Sequence, residues 1–181
     1  MENMDNMNHQ QQSFNIDNYK PVLATVYAEA ANQPPEAKRH IISSIINRAQ
    51  SGKVEYGAEN GSIVDVLKTG YSSARDNSPK YQEAMAESFK DKASEKSYKE
   101  VMALWSGMLK GTVKKSDAEF ILTDKDVEDV KKKKLMDMTK LEKVAREGDF
   151  NFYRYKKADK QPISKKSATV RKTVKGKNGK Y

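Results

Sequence analysis

The sequence predicts a mainly helical domain of the α+β class, compact and with a few short strands. Through the middle of the 181-residue chain, apolar residues recur three and four positions apart, which is the spacing of one helix face. Only 118–122 and 150–155 favour strands, the second because it is rich in aromatic residues. Polar residues dominate both ends of the chain. We therefore expect a disordered polar leader over 1–15, one domain over 16–155 and a flexible basic tail over 156–181.

Two helices separated by Pro34 and Pro35 are expected to open the domain. The first spans 19–32, with Pro21 tolerated in its first turn, and the second runs from Pro35 to about Gln50. Each carries an apolar stripe at helical spacing. The stripe residues are Val22, Leu23, Val26, Tyr27 and Ala30 in the first helix and Ile41, Ile42, Ile45, Ile46 and Ala49 in the second.

Shorter elements are predicted for the rest of the domain. Ser62 is placed to cap a helix that ends near Lys68, and Gly70 to Ser78 is expected to be an exposed loop. His40 is expected at an exposed or flanking helix position, and Lys131–Lys134 on a solvated helix face. The remaining elements are a helix from Pro79, a helix over 95–110 with Trp105 in its apolar stripe, a strand over 118–122, helices over 124–134 and 138–147, and a strand over 150–155.

Several kinds of chemistry are excluded by composition. The chain has no cysteine, so disulfides, thiolate metal ligands and thiol nucleophiles are absent. Its two histidines, His9 and His40, cannot form an HExxH zinc site, and a serine triad would depend on His40 alone. We expect no metal and no cofactor, and acid/base chemistry carried by carboxylates.

The charge of the chain is concentrated in the predicted tail. Residues 156–181 hold ten basic residues and one acidic residue, Asp159, and their net charge of +9 equals that of the whole protein. The remaining residues are therefore neutral as a group. The start of the chain has neither a basic nor an apolar segment typical of a secretory signal, and no stretch approaches the roughly 18 apolar residues of a membrane span. We expect a cytoplasmic product without membrane insertion.

Glu29 is the acidic residue that stands out by position. At 100° per residue it lies about 60° from Val26, at the border of the first apolar stripe. A carboxyl group at the edge of a core is partly desolvated, which favours its protonated form and suits it to act as a general acid. By position alone, an ordinary boundary residue of an amphipathic helix is the more common explanation.

Three segments carry a resemblance to a known family. They are Val22 to Arg48, with Tyr27-Ala28-Glu29-Ala30 and the closing Asn47-Arg48; Val66 to Asn77 (VLKTGYSSARDN); and Gly148 to Arg154 (GDFNFYR). Together with the helix end at Leu104–Gly111, they resemble in order the cell wall hydrolase family typified by spore cortex-lytic enzymes. The resemblance implies a lysozyme-like fold, peptidoglycan as the substrate and Glu29 as the catalytic acid. The family's second glutamate corresponds here to Gln33.

Substrate-binding residues are expected around this acid. We assign Gln33, Arg48, Tyr71, Ser72, Asp76 and Asn77 to substrate binding. For Tyr71, Ser72 and Asn77 the reason is that polar loops commonly line clefts, although plain turn chemistry explains these residues equally well. Arg48 is expected to pair with a carboxylate and hold the cleft wall, although a favourable charge at a helix end explains it as well. Asp76 is a candidate second carboxylate.

The bond that is cut stays open at this point. Hydrolysing glycosidases use two carboxylates, whereas a lytic transglycosylase works with one, and lysozyme-like lysins that cut the peptide cross-link are a further alternative.

A bacteriophage lysin, present in the host cytoplasm or packaged in the virion, fits the absence of a signal. Its basic tail would bind anionic wall polymers or viral DNA. The alternative from another class is a non-catalytic virion or nucleic-acid-associated protein that keeps the fold.

Overall fold

The computed structural model describes residues 19–59 and 62–157, and it confirms a mainly helical fold with a small antiparallel sheet. The predicted leader over 1–15, and the predicted tail from residue 158 onward, lie outside the described residues. The helices are α1 (Tyr19–Ala30), α2 (Pro35–Ser51), α3 (Ile63–Gly70), α4 (Ser72–Arg75), α5 (Pro79–Ala86), α6 (Lys92–Leu109) and α7 (Asp124–Lys133), with 3₁₀ turns at Val54–Tyr56 and Met138–Lys140. The strands are β1 (Phe120–Thr123), β2 (Leu141–Glu147) and β3 (Phe150–Tyr155).

Short polar side chains set the beginnings of several helices. Ser62 accepts a hydrogen bond from the backbone N–H of Asp65, as its predicted cap role requires. Asp91 does the same for α6, which therefore begins three residues before the predicted start at 95. Thr123 and Asp126 cap α7 reciprocally. Each such cap satisfies a backbone donor that has no partner within its helix.

The core is built around α1, which packs against α2, α3, α4, α5 and α6. Six consecutive residues from Val22 to Tyr27 are buried, so this helix is covered on nearly every side. Trp105 is 3% exposed, which confirms its place in the core. Lys38 is also buried, and its ammonium group joins α2 to α6 by bonding Ser97 Oγ at 2.9 Å and Glu100 Oε2 at 2.8 Å.

The sheet has the strand order β1-β3-β2 and packs against α2. Phe120 pairs with Tyr153 and Leu141 with Tyr155, and the register between β2 and β3 shifts between Lys143 and Ala145. Phe152, in the central strand, has no exposed surface and stacks on the His40 ring with 4.6 Å between ring centroids. This contact packs the central strand of the sheet against α2.

Two predictions of secondary structure were wrong. The segment 138–147 was expected to be helical, but most of it is strand β2. A strand with a bulge can show apolar residues at helix-like spacing, and pairing with β3 decides for the strand here. The segment Gly70 to Ser78, expected to be an exposed loop, contains α4 and two buried residues, Tyr71 and Ser73. The lysines Lys131–Lys134 are exposed as predicted.

His40 was expected to be exposed or flanking, and it is buried instead. Its Nδ1 lies 2.8 Å from Ser116 Oγ, and its ring covers Phe152. Burial first, and the nearby Arg39 guanidinium second, hold the pKa of His40 below its ordinary value of 6.5, while Glu147 and Glu36 act in the opposite direction. Folding thus favours the neutral form of the ring.

This burial predicts a pH-dependent stability. Below the ordinary histidine pKa the unfolded chain binds a proton that folded His40 resists, so the free energy of unfolding should fall as the pH drops from about 7.5 to about 5.5. Urea denaturation at both pH values measures the free energy of unfolding. The difference between the two values should be smaller for the His40→Gln variant than for the parent. An equal difference in both proteins would show that His40 does not contribute.

Candidate active site

Glu29 lies in the last turn of α1 and is half-buried. Its Oε1 accepts a hydrogen bond from the backbone N–H of Ser73 at 3.1 Å. Ser73 is the second residue of α4, and N–H groups in the first turn of a helix have no partner within that helix. The buried Ser73, in the first turn of α4, therefore fixes the position of the Glu29 carboxylate.

No cation neutralises this carboxylate within the part of the chain that the structure describes. Ser73 N–H is the hydrogen-bond donor found for Glu29 there, and the ion pairs of the described residues do not include Glu29. A half-buried acidic side chain is usually paired, because losing water disfavours its charged form. The Oγ atom of Ser73 is also buried without a hydrogen-bond partner in the described residues. Within the described residues, the Glu29 carboxyl group is therefore held by the main chain and not by an ion pair.

Tyr71 does not occupy the open groove that was expected for it. It is 4% exposed, its hydroxyl lies 2.6 Å from Ser44 Oγ, and the Arg48 guanidinium carbon lies 5.4 Å from its ring centroid. Burial raises the pKa of the Tyr71 hydroxyl, an effect that Arg48 and the bond to Ser44 oppose and that the Glu29 charge reinforces. Tyr71 thus holds the start of α4 against α2.

The other predicted loop residues are at the surface. Ser72, Asp76 and Asn77 are exposed, and Ser72 is adjacent to the residue that binds Glu29. Asp76 pairs with the neighbouring Arg75, with 3.0 Å between Oδ1 and Nε. The Asn77 carbonyl accepts a hydrogen bond from Gln82 Nε2 at 2.8 Å. These three side chains stay predictions for substrate binding.

Gln33 was assigned to substrate binding, but both the nitrogen and the oxygen of its side-chain amide form hydrogen bonds with Asp149. Its Nε2 donates to Asp149 Oδ2 at 2.8 Å, and its Oε1 accepts from the Asp149 N–H at 3.1 Å. Gly148 permits this approach, because a Cβ atom there would collide with Gln33 Oε1. Gln33 therefore ties the turn between β2 and β3 to the region after α1.

A carboxylate at position 33 should weaken this tie. The Gln33→Glu variant is expected to lose about 1–2 kcal/mol of unfolding free energy, because a donor to the Asp149 carboxylate becomes a second negative charge. Urea denaturation measures the loss. Adding Asp149→Asn should recover most of it, since the side-chain amide at position 149 can then donate to the new carboxylate. A single variant as stable as the parent would contradict the structural role of Gln33.

Asn47 and Arg48 hold the chain segment that leads into β1. Asn47 Nδ2 donates to the carbonyls of Ser116 and Ala118 at 2.9 and 2.7 Å. Arg48 Nε donates to the Glu119 carbonyl at 2.6 Å. These side chains satisfy carbonyl groups beside the edge strand of the sheet. Arg48 was expected to hold a cleft wall through a carboxylate, and the contact seen for its Nε is to the main chain.

A groove that sequence reasoning missed is lined by Arg48 and by residues from several other segments. Its volume is about 1080 Å³. The lining does not include Glu29, Gln33, Tyr71, Ser72, Asp76 or Asn77. We call it the Arg48 groove. No sequence motif marks it, because its walls come from distant positions, namely the end of α2, the turn at Val54–Tyr56, the end of α3, the start of β1 and the residues before it, the segment 135–137, Lys140 and Tyr155.

Comparisons with known proteins give no further information on this site, since no family model, no curated protein and no solved structure matches the chain. Among the described residues, acidic residues and histidines form no group of three or more suited to a metal ion. In the same part of the chain, each helix is too short or too polar to cross a lipid bilayer.

Proposed function

We propose that this protein degrades bacterial peptidoglycan, with Glu29 as the general acid. The observation that carries the proposal is the Glu29 carboxylate itself, which is half-buried, held by the Ser73 N–H at 3.1 Å and not paired with a cation in the described residues. A general acid must be held in place, and the half-buried Glu29 carboxyl group meets that requirement through its hydrogen bond from the Ser73 N–H. The choice of peptidoglycan as the substrate rests on the resemblance of the surrounding sequence to cell wall hydrolases.

Of the possible reactions, we favour that of a lytic transglycosylase. Glu29 donates its proton to the glycosidic oxygen as the bond from that oxygen to C1 breaks. The 6-hydroxyl oxygen of the same sugar then bonds to C1, and the Glu29 carboxylate takes the hydroxyl proton, which restores the acid. One carboxylate serves both steps. A muramidase-type hydrolase needs a second carboxylate at about 5–5.5 or 6.5–9.5 Å, and the candidate Asp76 is engaged by Arg75.

Mass spectrometry of purified sacculi digested with the protein tests both the activity and the bond. Anhydro-sugar ends identify a lytic transglycosylase, whereas new reducing ends identify a hydrolase and would overturn the single-carboxylate mechanism. Free peptide amines identify an endopeptidase and would remove glycosidase chemistry from Glu29. Sacculi that yield no products would contradict the proposal and favour a non-catalytic protein.

The proposal includes a bacteriophage lysin whose C-terminal residues attach it to anionic wall polymers or to viral DNA. The Lys156 N–H bonds the Lys140 carbonyl at 2.9 Å, so a truncation that spares the fold should end at Lys157. Residues 158–181 carry eight basic residues and Asp159.

Removal of residues 158–181 should leave the melting temperature nearly unchanged, because the segment has few apolar residues to bury. It should weaken binding to sacculi and flatten the salt dependence of that binding, since fewer cations remain to pair with anionic polymers. Co-sedimentation with sacculi at several salt concentrations measures both quantities. Equal binding and an equal salt slope for the full and shortened chains would leave the segment without a recruiting role.

A further inference from the structure

The floor of the Arg48 groove is fixed by cation–π contacts. Arg48 is 9% exposed, and its guanidinium carbon lies 5.3 Å from the ring centroid of Tyr56 and 5.5 Å from that of Phe120. Its Nε is bound to the Glu119 carbonyl, and a side chain on Gly70 would collide with its guanidinium group. A buried cation between aromatic rings is held tightly. The floor is therefore organised before any ligand binds.

The rim of the groove carries both signs of charge. Glu55, Asp117, Glu119 and Asp137 face it together with Lys53 and Lys140. The Lys53 ammonium lies 4.1 Å from the Tyr155 ring centroid and 3.7 Å from Glu55 Oε1. With Arg48 included, the lining has three basic and four acidic residues, and Asp117 also pairs with Arg154, so the groove offers no strongly basic surface for a polyanion such as nucleic acid. A ligand with both ammonium and carboxylate groups complements this rim.

One part of the groove wall is apolar. Leu135 is 69% exposed and is followed by Met136, and both line the groove. An exposed leucine next to a cavity offers contact area to an aliphatic group of a ligand. The groove volume of about 1080 Å³ is at the upper end of the range for small-molecule sites, so it has room for several linked residues.

We propose that the Arg48 groove binds the peptide part of peptidoglycan, at a site separate from Glu29. A short wall peptide carries carboxylates, an amine and aliphatic side chains, which match the mixed rim and the apolar wall. The identity of the peptide rests on the proposed function, whereas the binding chemistry rests on the groove. By holding a peptide, the groove would select glycan strands that bear one.

Isothermal titration calorimetry with the full-length chain tests this site. The probes are the free stem peptide released from sacculi by an amidase, peptide-free glycan strands and a short DNA duplex. The free peptide should bind, and the variants Lys140→Glu and Leu135→Asp together should weaken its binding about tenfold, through a reversed charge and a lost apolar contact. Lys96→Glu and Leu109→Asp, on α6, are the matched controls and should leave binding unchanged.

Three results would overturn the proposal. The first is a peptide that does not bind, and the second is peptide binding that is equally strong in the groove variants. The third is binding of glycan or DNA that the groove variants weaken while the peptide is not bound. Glu29 takes no part in this measurement, so a wall digest without products would remove the proposed function and leave the groove measurement valid.

Discussion

The Glu29→Gln variant is expected to release products from sacculi about 10²–10⁴-fold more slowly than the parent, the usual loss when one general acid is removed. The fold should be retained, because the glutamine Oε1 can still accept the hydrogen bond from the Ser73 N–H that the parent carboxylate accepts at 3.1 Å. Only the ability to donate and take back a proton is removed. Turbidity loss of a sacculus suspension measures the rate.

The matched control for this experiment is Glu128→Gln, which changes an exposed acidic residue on α7 in the same way. It should digest sacculi at the parent rate. Circular dichroism and the melting temperature establish that both variants are folded. A folded Glu29→Gln variant with the parent rate would show that Glu29 is not the acid, even if the protein degrades the wall.

The Phe152→Ala variant is expected to lose about 3–5 kcal/mol of unfolding free energy, the range observed when a buried aromatic ring is removed. Phe152 has no exposed surface, stacks on His40 and contacts Phe150 edge to face with 6.2 Å between ring centroids. The alanine would leave a cavity between the sheet and α2. Because native domains are stable by about 5–15 kcal/mol, this loss is a large part of the total.

Urea denaturation of the parent and variant measures that loss. Phe150→Ala is the control in the same strand, and it should cost less because Phe150 is only partly buried. A loss below about 1 kcal/mol for Phe152→Ala would mean that the contact between Phe152 and His40 does not anchor the sheet.

The helices with regular apolar stripes could be predicted from the sequence. Apolar residues three and four positions apart fall on one face only in a helix, and both Val22 to Ala30 and the isoleucines of α2 have this spacing. Both helices are present, and these apolar residues are buried. Caps such as Ser62 act within one turn, so they also can be identified locally. The edge position of Glu29 was visible for the same reason, and its side chain is half-buried as that position suggests.

Features that depend on distant partners could not be predicted. Strand β2 exists because β3 pairs with it, and Tyr71, which directly precedes α4, is buried where its hydroxyl reaches Ser44 on α2. Gln33 forms hydrogen bonds with Asp149, which is 116 positions away, so the sequence around Gln33 gave no sign of this contact.

The sequence by itself determined the helical class, the concentration of the net charge in a basic C-terminal segment, and the candidate acid Glu29. The tertiary structure decided which polar side chains are free for a ligand. It assigned Gln33, Tyr71 and Arg48 to internal contacts, and it formed the Arg48 groove from separate segments. The physical reason is that helix periodicity and capping act within a few residues, whereas burial and hydrogen-bond pairing of a side chain are fixed only when distant segments pack together.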